Sequence, residues 1–162
     1  MVNVSRPANV EEAEDFLSKV LPQETAANPK YRSGDATDLT RWLTKNVRFS
    51  VNAETHDIEV AMSEEAAVFR NGSQAETNTH LVAFAIRDVH VLEYEYPADT
   101  TEAGKKAVGV IFKCDSGKCI RSIWNGHEAN KAEADLYLYD PQHRAEILHA
   151  FRLLVDAAHA KT

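Results

Sequence analysis

The sequence predicts an α+β protein, mainly β, in which about seven antiparallel strands are followed by a C-terminal helix. Apolar and polar residues alternate through the middle of the chain, and the last segment repeats apolar residues at helical spacing. No segment alternates strand with helix, which disfavours a parallel sheet. With 162 residues, 44% of them hydrophobic, the chain suits a single globular domain. We expect residues 1–40 to form a helix-and-loop extension and residues 41–162 to form the β-rich unit.

The first predicted element is a short amphipathic helix over residues 10–21. Asn9 is placed to cap this helix, two glutamates fall in its first turn, and Pro22 is expected to end it. The segment that follows contains few large apolar side chains. Residues 23–38 are therefore predicted to be a loop.

A period of two then predicts a series of strands. Apolar positions alternate through residues 46–51 and 57–63, with a polar turn between them, which is typical of a hairpin. Further strands are predicted at residues 81–86, 89–96, 108–112, 120–124 and 135–139. Loops are predicted at the mostly polar residues 64–79, 97–106 and 125–133.

The last predicted element is a long helix that carries the strongest local signal. Asp140 is suited to cap it, Pro141 suits its first position, and it should run to about His159. Its apolar residues form one broad stripe, which needs a sheet or a partner to cover it. The stripe contains Ile147, Leu148, Phe151, Leu154, Val155 and Ala158.

Two cysteines, Cys114 and Cys119, flank a predicted turn. Three alternatives stay open: two free thiols, a cross-hairpin disulfide, or half of a zinc site. Residues that face each other across a hairpin can reach disulfide geometry, whereas a reducing cytosol would keep the thiols apart. Zinc needs four ligands and there is no second cysteine pair, so no metal site is predicted.

Charge and motifs exclude several classes of function. The net charge of −7 argues against binding to nucleic acid or to an anionic membrane, and no apolar run reaches the ~20 residues of a membrane span. No nucleotide-binding loop, zinc-protease motif or nucleophile elbow is present. We therefore expect no enzyme activity and no cofactor. The first nine residues lack the apolar core of a secretory signal, so we expect the cytoplasm, or the periplasm if a signal peptide has been removed.

Residue types that carry chemistry have ordinary structural interpretations as well. The seven histidines form no close pair on one face, which favours solvated or capping roles, although a site assembled from separate strands stays open. Three acidic pairs are candidates for acid–base chemistry, although an outer strand face also explains the last of them. The pairs are Glu11 and Glu12, Glu64 and Glu65, and Glu93 and Glu95. Trp42 and Trp124 suit either the core or an exposed anchor for a partner. The same two roles are expected for Tyr94, Tyr96, Tyr137 and Tyr139.

Seven antiparallel strands followed by a helix resemble a pleckstrin-homology-like domain. The resemblance covers residues 43–159 and implies a barrel or bent sandwich whose open end the helix closes. Members of that family that bind phosphoinositides carry basic residues around the first hairpin loop. Residues 53–57 are acidic instead, which argues against a lipid ligand.

A second, shorter resemblance is to small bacterial proteins of unassigned function that contain a Cys-x-x-Gly-Lys-Cys-Ile turn. Here the turn runs from Cys114 to Ile120, and an apolar helix core follows it. This resemblance implies a fold and no particular reaction. The helix core consists of Ala150, Phe151, Leu153 and Leu154.

The function that these observations favour is non-catalytic binding of a protein or peptide. Barrels of this type often bind extended peptides by strand addition. One alternative is an enzyme or a small-ligand or metal-binding protein whose site is assembled from separate strands. Another is a homo-oligomeric structural component that covers the apolar helix. The predicted partner-binding residues are Val108, Val110, Lys113, Lys118, Arg121 and Arg152.

Overall fold

The computed structural model describes residues 6–160 of this chain. Residues 1–5 and 161–162 lie outside the described residues. Residues 1–5 belong to the N-terminal segment, residues 1–9, on which the prediction of the cytoplasm or periplasm depends. Helix α1 spans Val10–Ala26, helix α2 spans Pro141–His159, and one short 3-10 helix spans Ile86–Asp88. The strands are β1 (Tyr31–Ser33), β2 (Leu39–Val51), β3 (Ile58–Arg70), β4 (Ser73–Ala85), β5 (Val89–Thr101), β6 (Lys106–Cys114), β7 (Ile120–Trp124), β8 (His127–Lys131) and β9 (Glu133–Tyr137).

The α+β, mainly β class with one helix at each end is confirmed, but the strand count and the closed barrel were wrong. All nine strands form one open antiparallel sheet in the order β8-β7-β4-β3-β2-β1-β5-β6-β9. Strands β3 and β4 run on through a segment predicted to be a loop. They meet at a two-residue turn in which Asn71 and Gly72 both have positive φ, the geometry that a tight hairpin favours. Pairing along the hairpin outweighs the polar composition of these strand ends.

Both helices form where the sequence predicts them, although α1 extends further. The Asn9 side chain caps α1, and the Asp140 side chain caps α2. Helix α1 continues past Pro22 to Ala26, so the predicted helix end was wrong. The reason is tertiary: Thr25 is buried in the final turn, and its hydroxyl accepts a 2.8 Å hydrogen bond from the Thr44 backbone. Such contacts offset the roughly 3 kcal/mol that an interior proline costs a helix.

The main core lies between the two helices and the inner face of the sheet. Phe112 of β6 joins its parts, since its ring packs 5.0 Å from Phe84 of β4 and 4.8 Å from Phe151 of α2. Within residues 6–160, no helix is long and apolar enough to cross a membrane. The remaining buried apolar side chains of this core include Phe16, Leu17 and Leu21 from α1, Val60 and Met62 from β3, and Ile147 and Leu154 from α2.

The sheet curls strongly, as ring contacts between distant strands show. Trp42 of β2 lies 5.9 Å from Trp124 of β7 and 5.7 Å from Tyr137 of β9. In the sheet order, β7 is three strands away from β2 and β9 is four strands away on the other side. A flat sheet with about 4.8 Å between strands would separate these side chains by roughly 14 Å and 19 Å. Curvature therefore brings both edges of the sheet towards its middle strand.

Register shifts mark the points where the strands bend. They occur between Thr44 and Asn46 in β2, between Val68 and Phe69 in β3, and between Glu95 and Thr100 in β5. An extra residue in one strand bends that strand and increases its twist. These irregularities account for the curl of the sheet's long central strands.

Gly109 permits the close approach of β9 to β6. A Cβ atom at this position would lie 1.8 Å from the carbonyl oxygen of Leu136 and 2.9 Å from its carbonyl carbon. Both obstacles are backbone atoms of the paired strand, so a rotamer change cannot relieve the clash. The position of the edge strand β9 therefore depends on glycine here.

We expect Gly109→Ala to lower the free energy of unfolding by about 1–3 kcal/mol or more, because the added methyl group must displace a β9 carbonyl. Chemical denaturation measures the change. Gly104→Asn is the control, since Gly104 has a positive φ with nothing within 4 Å, a conformation that asparagine tolerates. Equal stability of the wild type and Gly109→Ala would contradict the close approach.

Candidate functional site

A cavity of about 440 Å³ lies on the inner side of the curled sheet, next to the main core. We call it the concave cavity. Side chains from seven strands line it, including those of both edge strands, β8 and β9. Its volume falls within the range of roughly 300–1,000 Å³ that is typical of small-molecule sites. The cavity therefore exists because the two ends of the sheet face each other.

Aromatic rings form much of the cavity wall. Tyr96 and Tyr137 stack in parallel with their ring centroids 4.1 Å apart. Trp42 also stacks on Tyr137, with a centroid distance of 5.7 Å. Trp124 packs 5.4 Å from the imidazole of His80, and 37% of Trp124 is exposed. The wall is thus largely aromatic, with one partly exposed tryptophan.

Three polar side chains from neighbouring strands meet in this cavity. Nε2 of His80 lies 2.7 Å from Oγ of Ser122, which is a hydrogen bond. Nδ1 of the same ring lies 3.3 Å from Oε1 of Glu64. That distance suits an ion pair, but within residues 6–160 the buried Nδ1 atom has no partner in hydrogen-bonding geometry. The result is a serine–histidine–carboxylate row across β7, β4 and β3.

Glu64 is the most deeply placed charged group of this row, with a side chain only 5% exposed. Burial raises the pKa of its carboxyl group above the usual 4.5, and this effect exceeds the opposing influence of His80. Glu64 also lies close enough to Asp135 for the two carboxyl groups to repel each other. The cavity therefore holds a carboxylate that the protein itself solvates poorly.

A second carboxyl group enters the cavity from β9. The hydroxyl of Tyr96 donates a hydrogen bond to Asp135. Burial raises the pKa of Asp135 above its ordinary value, and burial beside this carboxyl group raises the pKa of Tyr96 as well. Strand β9 alternates between two environments, because Asp135 and Tyr137 face the cavity while Leu136 and Leu138 belong to the main core.

The segment after α1 holds the cavity wall in place. The buried side-chain amide of Asn28 donates to the backbone carbonyl of Trp42 on β2, at 3.1 Å, and to that of Tyr137 on β9, at 2.9 Å. These two strands are not neighbours in the sheet. Asn28 thereby ties the middle of the sheet to one of its edges, at two residues that line the concave cavity.

The six predicted partner-binding residues do not converge on this cavity. Val110 is fully buried, and β6, which carries it together with Val108 and Lys113, pairs with β5 on one edge and β9 on the other. Strand addition at β6 is therefore blocked by strands already present. Partner binding by these residues stays a prediction. The other three are exposed and lie apart, Lys118 in a turn, Arg121 on β7 and Arg152 on α2.

Cys114 and Cys119 are joined by a disulfide in this structure. Their Cα atoms lie 5.8 Å apart at the ends of the turn between β6 and β7. Within residues 6–160, no group of three or more histidine, cysteine, aspartate or glutamate side chains is arranged to hold a metal ion.

The structure brings together Glu64, His80 and Ser122, which the sequence did not predict to be neighbours. Glu64 and Glu65 were considered as a pair, but adjacent strand residues point to opposite faces, and Glu65 pairs with Lys45 at 3.0 Å. The signal that locates Glu64 is the period of two in β3, where it continues the inward series of Val60 and Met62. In the same way, His80 continues a series on β4 and Ser122 continues one on β7.

Comparisons with protein-family models, with curated proteins and with solved structures give no match for this chain. The resemblances to pleckstrin-homology-like domains and to bacterial proteins with the cysteine turn therefore stay predictions.

We expect Glu64→Gln to make the folded protein more stable than the wild type at about pH 8, with the difference vanishing as the pH falls to about 4.5. A raised pKa means that the folded state binds this proton more tightly than the unfolded chain, so wild-type stability falls as the pH rises through the raised pKa. Each unit by which the pKa is raised contributes about 1.4 kcal/mol. The titratable side chains that face Glu64 are His80 from β4, Asp135 from β9 and Tyr96 from β5.

Urea denaturation at several pH values measures this difference. Glu65→Gln is the matched control, because it removes the same charge from the outer face of the same strand, and we expect it to change stability by less than about 0.5 kcal/mol. A difference between Glu64→Gln and the wild type that does not grow with pH would contradict the poor solvation of Glu64.

Proposed function

We propose that this protein binds a small organic molecule in the concave cavity. The observation that carries the proposal is the carboxyl group of Glu64, which faces the cavity with its side chain only 5% exposed and whose ion-pair partner, Nδ1 of His80 at 3.3 Å, lies outside hydrogen-bonding geometry. A buried polar group that lacks partners costs stability. Such groups cluster at functional sites, where a ligand supplies the missing partner.

The form of the cavity supports the same proposal. Binding sites for small molecules are usually preformed concavities with apolar and aromatic walls and a few convergent polar groups. The concave cavity combines ring faces from Trp42, Tyr96 and Tyr137 with the polar row of Ser122, His80 and Glu64. A site built from separate strands was one of the alternatives that the sequence left open.

The neutral fluorescent dye prodan tests this proposal directly. The chain's only two tryptophans, Trp42 and Trp124, both line the cavity. A dye bound there should accept energy from them and shift its emission to the blue. We expect saturable binding with a Kd of roughly 10–500 μM, in line with the modest ligand efficiency of a molecule of this size.

Two substitutions on β7 locate the bound dye. Ser122→Phe fills the cavity and should weaken binding at least tenfold, whereas Ile123→Phe on the outer face of the same strand should leave it within about twofold. Circular dichroism and thermal unfolding confirm that both variants fold, and Ser122→Val provides a smaller cavity-filling change. Absence of saturable binding, or equal binding by all variants, would overturn the proposal.

A second candidate function is acyl transfer, favoured by the order of the polar row. A serine within hydrogen-bond distance of a histidine that also faces a carboxylate is the arrangement of a nucleophile, a base and an orienting group. In such a step, Ser122 Oγ attacks the carbonyl carbon of an ester, His80 takes the serine proton and returns it to the leaving alcohol, and water then hydrolyses the acyl group. Activity of this kind requires donors for the developing oxyanion as well.

A fluorophosphonate probe tests this second function. The probe forms a bond between Ser122 Oγ and phosphorus, His80 takes the serine proton and fluoride leaves, so we expect the intact mass to increase by the mass of one probe less HF per chain. Ser122→Ala should abolish labelling, and Ser50→Ala, on an exposed part of β2, is the control. Failure to label the wild type would remove acyl transfer and leave the binding proposal standing.

A further inference from the structure

We infer that the ligand of the concave cavity is an organic cation, in which a protonated amine or a quaternary ammonium group is attached to an aromatic or short apolar body. The inference rests on the proposed binding function and names the chemistry of the ligand. It is carried by the charge of the cavity lining, by the aromatic character of its walls, and by a buried carboxylate whose one ion-pair partner, His80, lies outside hydrogen-bonding geometry.

The charge of the lining selects a positive ligand. Among the described residues that line the cavity, three carry carboxyl groups, namely Glu64, Glu133 and Asp135, and one carries an ammonium group, Lys131. Lys131 on β8 and Glu133 on β9 are both exposed, so water screens these two opposite charges alike. Glu64 is buried deeper, where an opposite charge interacts more strongly. The electrostatic minimum for a cation therefore lies towards the buried end of the cavity.

The aromatic walls strengthen this selection. A cation over a ring face is attracted by the quadrupole of the ring, and tryptophan and tyrosine are the strongest partners of this kind. Four such rings line the cavity, from Trp42, Tyr96, Trp124 and Tyr137, and because Tyr96 and Tyr137 stack on each other at 4.1 Å, one face of each of these two rings is already covered. An anionic ligand would meet the negative ring faces and the carboxylates together. A neutral ligand would fill the apolar space but leave Glu64 without a partner.

His80 does not remove the need for a cation. Its ring approaches Glu64 from one side only, at 3.3 Å and without hydrogen-bonding geometry. The imidazole also makes a tilted contact with the ring of Trp124, and its Nε2 atom is hydrogen-bonded to Ser122. The carboxylate therefore retains acceptor capacity towards the cavity. A ligand ammonium group donates hydrogen bonds to the carboxylate and supplies a positive charge beside it, which replaces the solvation by water that burial removes.

Three probes of nearly equal size separate charge from shape. Phenethylamine, 2-phenylethanol and phenylacetate share one aromatic body and carry a positive, a neutral and a negative head group. Each is titrated into the intact protein, and the fluorescence of Trp42 and Trp124 reports occupancy of the cavity. We expect phenethylamine to bind at least tenfold more tightly than 2-phenylethanol, and phenylacetate to bind most weakly.

Variants of β3 assign this preference to Glu64. Glu64→Gln keeps the shape of the side chain and removes its charge, so it should reduce the affinity for phenethylamine at least tenfold while changing that for 2-phenylethanol less than about twofold. Glu65→Gln changes the net charge equally from the outer face of the same strand, and both affinities should remain within about twofold of the wild type. Asp135→Asn should weaken amine binding in the same direction as Glu64→Gln.

The outcomes distinguish this inference from the proposed function. If the neutral or the anionic probe binds as tightly as the amine and Ser122→Phe blocks it, the cavity is a ligand site but the cation inference is overturned. If the amine is preferred equally by the wild type, Glu64→Gln and Asp135→Asn, the preference arises elsewhere on an acidic surface and the inference is again overturned. If no probe, prodan included, binds in the cavity, both the function and the inference fail.

Discussion

A long antiparallel sheet that curls on itself must fill its concave side, and this requirement shapes most of the structure. At one end, α1, α2 and the apolar strand residues fill the space as an ordinary hydrophobic core. At the other end, the same inward positions on β3 and β4 carry Glu64 and His80 instead of Val60 and Phe84. Bulges bend the strands, and the close approach of β9 at Gly109 brings the far edge into place. The cavity is the unfilled part of one continuous concave surface.

The concave cavity is held by groups outside the strands that line it. Asn28 follows α1 and links the backbones of Trp42 and Tyr137 across the fold. Thr25 of α1 is linked in a similar way to the bulge of β2, since its hydroxyl accepts a hydrogen bond from the backbone amide of Thr44. Hydrogen bonds to buried backbone groups are costly to lose, because no water replaces them. The N-terminal helix therefore positions the site as well as completing the core.

Under the proposed binding function, the site shows how a fold tolerates an unfavourable group. A carboxylate in a poorly solvated position lowers stability at neutral pH, and a well-packed apolar residue at position 64 would remove that cost. Because ligand binding adds free energy only to the folded state, an occupied site restores the stability that the empty site gives up. Poor internal solvation of Glu64 and the proposed affinity for a cation are thus two aspects of one arrangement.

The sequence alone determined those features that depend on neighbours along the chain. The caps at Asn9 and Asp140, the two helices and the alternating strands follow from local spacing and side-chain chemistry. Tertiary structure decided what depends on partners distant in sequence. Segments of polar composition form strands because a neighbouring strand pairs with them. Helix α1 continues beyond Pro22 because Thr25 is hydrogen-bonded to β2. Ser122, His80 and Glu64 are separated by up to 58 positions in the sequence, and only the order and curvature of the sheet place them side by side.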